Sequence, residues 1–133
     1  MPKGVVCLVS ALAFHQLTDQ LPRQVWMAIG QKDWAPKGHG VAVRRVRFTD
    51  RLLTEAVEFH TIEGVPVKVF GVAKTVADCF RYRNKIGLSV AIEGLQEALR
   101  QRKTTPSEIL SQAERGAIAT VIRPYLEALT ANG

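Results

Sequence analysis

Residues 57–87 read VEFHTIEGVPVKVFGVAKTVADCFRYRNKIG, and the fold turns on how this stretch divides. Two apolar runs flank Glu63 and Gly64, the spacing of a two-residue hairpin in which glycine supplies the positive φ. That register pairs Ile62 with Val65, His60 with Val67 and Glu58 with Val69. Ile62, Val65, Val67 and Val69 then share one apolar face, with Val57, Phe59 and Phe70 on the other. Pro66 falls opposite Thr61 in a non-hydrogen-bonded pair, so its missing N–H costs the hairpin nothing, and its outer side reads as an edge or bulge. From Ala73 the pattern becomes helical and is expected to end at Gly87, a C′ glycine. On a helical wheel Lys74, Asp78, Arg81 and Lys85 share one face, read as solvated, with Ala73, Val76 and Phe80 opposite and Arg83 nearer the apolar side.

Working outward, Val5 to Gln16 reads as a buried helix because apolar residues occupy nearly every side of it. Val25 to Ile29 is a short buried strand, residues 30–40 a Gly- and Pro-rich loop, and Val41 to Phe48 a second strand. Residues 49–56 give a short helix capped by Thr49 or Asp50. After Gly87, Ser89 is placed to cap a helix whose Ile92, Leu95 and Leu99 form a stripe beside Ala91 and Ala98. Thr105, Pro106 and Glu108 form a capping box for the next. The last helix is expected to bury Ile118, Val121, Ile122, Tyr125 and Leu129 and to bend at Pro124. The sum is a single α+β domain over residues 1–133. A small, mostly antiparallel sheet of about four strands, including the hairpin at 57–70, is packed by an N-terminal helix and a C-terminal run of four helices.

The chain has 133 residues, enough for a core that needs no metal or disulfide. Its net charge of +6 favours a polyanionic partner and is spread evenly along the sequence. Arg44, Arg45 and Arg47 on the second strand, with Lys74, Arg81, Arg83 and Lys85, are the candidate contacts for phosphate or an acidic protein. Cys7 and Cys79 have no zinc or redox spacing and read as reduced, buried thiols. His15, His39 and His60 are scattered, with no metal motif among them. The opening MPKGVVCLVSALAFHQ also has the form of a secretory signal, with Ala11-Leu12-Ala13 as the cleavage site, but its apolar run is too short to span a bilayer.

Chemistry is hard to find. No glycine-rich phosphate loop, HExxH or CxxC is present. A nuclease core would place an acid two residues before its lysine; the acids here are Asp50, Glu58 and Glu63, and the place before Lys68 is held by Pro66. Ser10 lacks a nucleophile-elbow context. The reading is non-enzymatic, without cofactor or metal.

The run PKGVVCLVSALAFHQLTDQLPRQVWMAI, the hairpin EGVPVKVF and the block AKTVADCFRYRNKIGLSVAIEGLQEAL together resemble the C-terminal domain of AbiEi-type antitoxins, the antitoxins and transcriptional regulators of type IV toxin–antitoxin (abortive infection) systems. The resemblance covers nearly the whole chain through RPYLEAL, and KTVADCFRYRNKIG is its most specific part. It implies a cytoplasmic protein, with the segment from Val5 to Leu17 inside the folded domain rather than a signal. It implies a partner in functional antagonism, a nucleotidyltransferase-like toxin, without need of a stable complex. It also implies DNA binding in the full-length family member through an N-terminal winged helix-turn-helix, which is absent from these residues. Sequence-specific DNA binding is therefore not carried over; at most nonspecific phosphate contacts, antitoxicity or self-association are. Gly71-Val72 stands where the family pattern has Ser-Pro, which weakens the expected helix cap. A general nucleic-acid-binding module is the alternative, and a metal-dependent nuclease a remote one.

Overall fold

The structure, a computed structural model, describes residues 4–31 and 42–131; most of the 30–40 loop, His39 and the start of the second expected strand lie outside them. The chain runs β1 (Val5–Val6), α1 (Leu8–Phe14), β2 (Val25–Gly30), β3 (Val43–Phe48), α2 (Asp50–Thr54), β4 (Val57–Ile62), β5 (Val65–Phe70), α3 (Val72–Arg81), α4 (Arg83–Ile86), α5 (Leu88–Arg100), α6 (Pro106–Arg115) and α7 (Ala119–Thr130). This is an α+β domain with an N-terminal helix and a C-terminal run of helices.

The sheet has five strands in the order β3-β2-β1-β5-β4. It is mixed rather than mostly antiparallel: β1 pairs antiparallel with β2 and parallel with β5, β2 pairs parallel with β3, and β4 pairs antiparallel with β5. The missed strand is β1, which lies inside the segment expected to be a helix from Val5. An apolar run without alternation looks the same as a buried strand or a buried helix. Here two β-branched residues complete the sheet, Cys7 stays extended at φ −137°, and the helix starts one residue later. Leu8 makes that turn at φ +48°, a left-handed conformation uncommon for a side chain with a Cβ. The apolar opening is thus core: Val5, Cys7, Leu8, Val9, Ala11, Leu12 and Leu17 are all buried.

The hairpin has the expected register, with Ile62 opposite Val65, Thr61 opposite Pro66, and Gly64 at φ +80°. Among the described residues β1 pairs with β5 only at Val6 and Val69, which leaves the outer side of Pro66 without a strand partner there, so the proline is tolerated on an internal strand. The sheet is strongly coiled. Phe48 of β3 and Phe70 of β5 are separated by two strands, yet their rings stack at 5.5 Å.

α3 stops at Arg81 rather than Gly87, because Tyr82 leaves the helical region at ψ +25°. A single turn, α4, then carries the chain to Gly87 at φ +95°. Counting it, five helices follow the sheet instead of four. Ser89 makes no cap bond; α5 starts a residue earlier, at Leu88. Its buried face is Val90, Ala91, Gly94, Leu95 and Ala98, turned from the expected stripe toward the small residues. Thr105 caps α6 as expected, the Glu108 N–H donating to its Oγ1 at 3.2 Å, while the Thr105 hydroxyl donates to Glu108 Oε1 at 3.0 Å. α2 follows Thr49 without a side-chain cap bond, and α7 runs through Pro124, burying Ile118, Ile122 and Leu126.

α5 holds α1 from both ends. Gly94 admits Leu12 so closely that an added Cβ would stand 2.9 Å from Leu12 Cδ2. Beyond the helix end, Gln101 donates to the Gln16 carbonyl at 3.0 Å and Lys103 Nζ to the His15 carbonyl. Leu12 is fully buried, so it can yield only by repacking against its core neighbours. The variant Gly94→Val is therefore expected to lose about 1–3 kcal/mol, through overpacking that outweighs any gain in helix propensity. Urea denaturation of the two chains measures this difference.

Candidate functional site

The helical block that carries most of the cations lies inside the molecule. Lys74, Thr75, Val76, Ala77, Asp78, Cys79 and Phe80 are all buried, with Lys74 only 2% and Asp78 only 3% exposed. The solvated face expected for Lys74, Asp78, Arg81 and Lys85 is therefore a correction. α3 is enclosed by α1, α5, α6 and α7 together with the aromatic ends of the sheet. Only Lys85, beyond the break at Tyr82, is exposed.

The buried charges hold one another. Lys74 Nζ lies 3.3 Å from Asp78 Oδ2 one helical turn on, and Arg81 Nη2 lies 3.5 Å from Asp78 Oδ1. Both are ion-pair separations rather than well-formed hydrogen bonds. One carboxylate faces two cations, and the surplus positive charge rests on aromatic faces. Lys74 Nζ is 4.4 Å from the centroid of Phe70 and 5.2 Å from that of Phe48; the Arg81 guanidinium carbon is 4.7 Å from both Phe48 and Tyr82. Phe48 also stacks on Tyr82 at 5.5 Å. The ring quadrupoles attract each cation where water is excluded. Arg81 keeps part of its side chain at the surface.

Burial dominates the protonation of this cluster. It lowers the Lys74 ammonium below 10.5, with Asp78 pulling it back, and raises the Asp78 carboxyl above 3.8, with Lys74 and Arg81 opposing. The Cys7 and Cys79 thiols are pushed well up, chiefly by burial and then by Asp78, so at neutral pH both are protonated thiols. Both are free and buried, as expected.

β3 separates its arginines. Arg44 sits beside Trp26 in the register, its guanidinium carbon 4.5 Å from the ring centroid. Arg45 and Arg47 alternate to the other face, and Arg47 Nη1 donates to the Gly30 and Gln31 carbonyls, each at 3.0 Å. Arg83 Nη1 donates to the Phe80 carbonyl at 3.0 Å. The seven candidate contact residues therefore do not share one surface. Lys74 is interior, Arg81 is mostly enclosed, Arg44 and Arg47 occupy opposite faces of β3, and Lys85 stands on α4.

Two further groupings were not visible in the sequence. His15 donates from Nε2 to the Phe70 carbonyl at 2.8 Å and meets the Phe14 ring edge-on, while His60 packs on the other contact of Phe14 at 4.7 Å and bonds Glu58 at 2.9 Å. Both histidines have ordinary structural partners. On the sheet face that carries Val6 and Met27 lies an open apolar trough of 640 Å³, lined also by Val25, Val43, Val67 and His60. Among the described residues no group of three or more His, Cys, Asp or Glu could hold a metal ion, and no helix is long and apolar enough to cross a membrane. No family model matches the chain, and no curated protein matches it.

The cluster has a measurable signature. Asp78→Ala leaves two buried or half-buried cations without their counter-charge and is expected to cost about 3–5 kcal/mol. The double variant Lys74→Met/Asp78→Leu, which removes the fully buried pair and leaves only the partly exposed Arg81 without its counter-charge, is expected to recover part of that loss in the same urea melts. The pH dependence follows from the direction of the shift. Between 3.8 and its raised native value, folded Asp78 holds a proton that the unfolded chain has lost. Its contribution to stability therefore grows as pH falls across that window and is constant above it. The Asp78 carboxyl carbon should titrate above 3.8 by NMR; a lower midpoint would mean that Lys74 and Arg81 outweigh burial.

Proposed function

We propose that this chain is a non-enzymatic antitoxin and regulatory domain of a type IV toxin–antitoxin system, resembling the C-terminal domain of AbiEi-type antitoxins and opposing a nucleotidyltransferase-like toxin in the cytoplasm. One observation carries this reading. KTVADCFRYRNKIG, the most specific part of the resemblance, begins in the most enclosed helix of the fold and ends at the positive-φ Gly87. A likeness concentrated there is a likeness in the core that fixes the architecture, which surface convergence does not produce. The segment matching the internal part of the family's domain, Val5 to Leu17, supports the same reading because it supplies the central strand and a core helix.

Antagonism in this proposal acts through the exposed surface, so the burial of Lys74 and most of Arg81 moves the expected contact to α4. Lys85 is exposed at the end of the block, while Arg83 is half-buried with its guanidinium on the Phe80 carbonyl; neither belongs to the ion cluster. In cells expressing a nucleotidyltransferase-like toxin of such a system, the wild-type domain should restore growth. Arg83→Glu/Lys85→Glu should rescue at least about tenfold less well, a difference of about 1.4 kcal/mol if it reflects one binding step. The circular dichroism of the variant should be unchanged. Equal rescue by both chains would remove α4 as the contact, and no rescue by either would remove the antitoxin reading.

A further inference from the structure

β4 is the last strand of the sheet, and among the described residues none pairs with its outer side. Its inner side is fixed by the hairpin. Thr61 and Pro66 form a non-hydrogen-bonded pair, and the Gly71 N–H donates to the Ala56 carbonyl at 2.9 Å, so even-numbered residues bond inward. The N–H and C=O groups of Val57, Phe59 and Thr61 consequently point out of the sheet. Sheet edges are ordinarily protected by charged residues, lysine above all, by proline or by a bulge; β4, reading VEFHTI, has no lysine, proline or bulge, and Glu58 is its one charge. It instead exposes Phe59 to 79%, with Ile62 at 43% and Val65 at 59% on the same hairpin.

We propose that this edge pairs with β4 of a second copy of the chain, antiparallel about a two-fold axis through Phe59. The strand's own side chains select that register. Outward-bonding residues must meet outward-bonding residues, which puts the axis on a residue, and the longest overlaps of Val57–Ile62 with its copy centre on Phe59 or His60. An axis at His60 leaves each Glu58 carboxylate opposite the apolar Ile62. The axis at Phe59 places Glu58 opposite His60 of the second copy twice over, pairs Val57 with Thr61, and brings the two Phe59 rings together. It joins two five-stranded sheets into one and covers the most exposed aromatic ring among the described residues. The contact is isologous and closed, so it gives a dimer and not a filament.

Sedimentation equilibrium of the full chain tests this. The mass should rise with concentration from 14.7 kDa toward twice that value. Phe59→Lys, at a position too exposed to disturb folding, should hold the chain at the lower mass. Glu58→Lys should weaken the dimer, and the exchange Glu58→His/His60→Glu should restore it. On mild oxidation Phe59→Cys chains should cross-link and Ile62→Cys chains should not. A chain that stays monomeric up to millimolar concentration, including one that captures an extended peptide on this edge, overturns the proposal. So does a dimer indifferent to Phe59→Lys, or one that cross-links preferentially through position 62.

Discussion

The rest of the structure depends on one carboxylate. Asp78 stands inside the protein between Lys74 and Arg81, and the rings of Phe48, Phe70 and Tyr82 close over the two cations. An isolated charge at that depth would be strongly unfavourable. Three devices keep the cluster tolerable: opposite charge one turn away, aromatic faces over the cations, and an arginine side chain that is only partly enclosed. Each ties different parts of the chain together, because Phe48 closes β3, Phe70 closes β5 and the charges belong to α3. The cluster therefore fixes where the central helix sits against the sheet. Apolar packing alone would leave that position less defined, since hydrophobic contact has no direction.

The sheet is arranged to make this meeting possible. Its outer pairs, β2 with β3 and β4 with β5, are six-residue strands, while the strand between them has two residues. A long central strand would have required pairing partners along its whole length. The short one gives way to α1 at once, and the sheet coils until the ends of β3 and β5 face the same helix. The polar ties from Gln101 and Lys103 to the end of α1 then close the helical layer over it.

Local signals were readable wherever the physics is local. The hairpin register followed from Glu63-Gly64 and the alternation around it, and the capping box from Thr105, Pro106 and Glu108. Both depend on residues within a few positions of one another. β1 was not readable, since Val5 and Val6 show no alternation and their strand exists only through β2 and β5. The charged stripe of α3 misled for a related reason. Lys74, Asp78 and Arg81 at helical spacing describe a wet face equally well, and only Phe48 and Phe70, far away in sequence, decide that it is an interior one. The ends of those two strands, each an aromatic residue, were the available hint. Of the candidate contacts, the sequence could mark which residues carry charge. It could not show that alternation along β3 sends Arg44 and Arg47 to opposite sides, or that Arg83 is already engaged with the Phe80 carbonyl.

The brevity of β1 has a mechanical consequence. Two stiff plates, each a well-bonded pair of strands, are sewn together by a seam only two residues wide. Twisting one plate against the other strains that seam long before it strains either plate. The seam's burial, with Val5 and Cys7 almost wholly enclosed by the core, is what keeps so narrow a join closed.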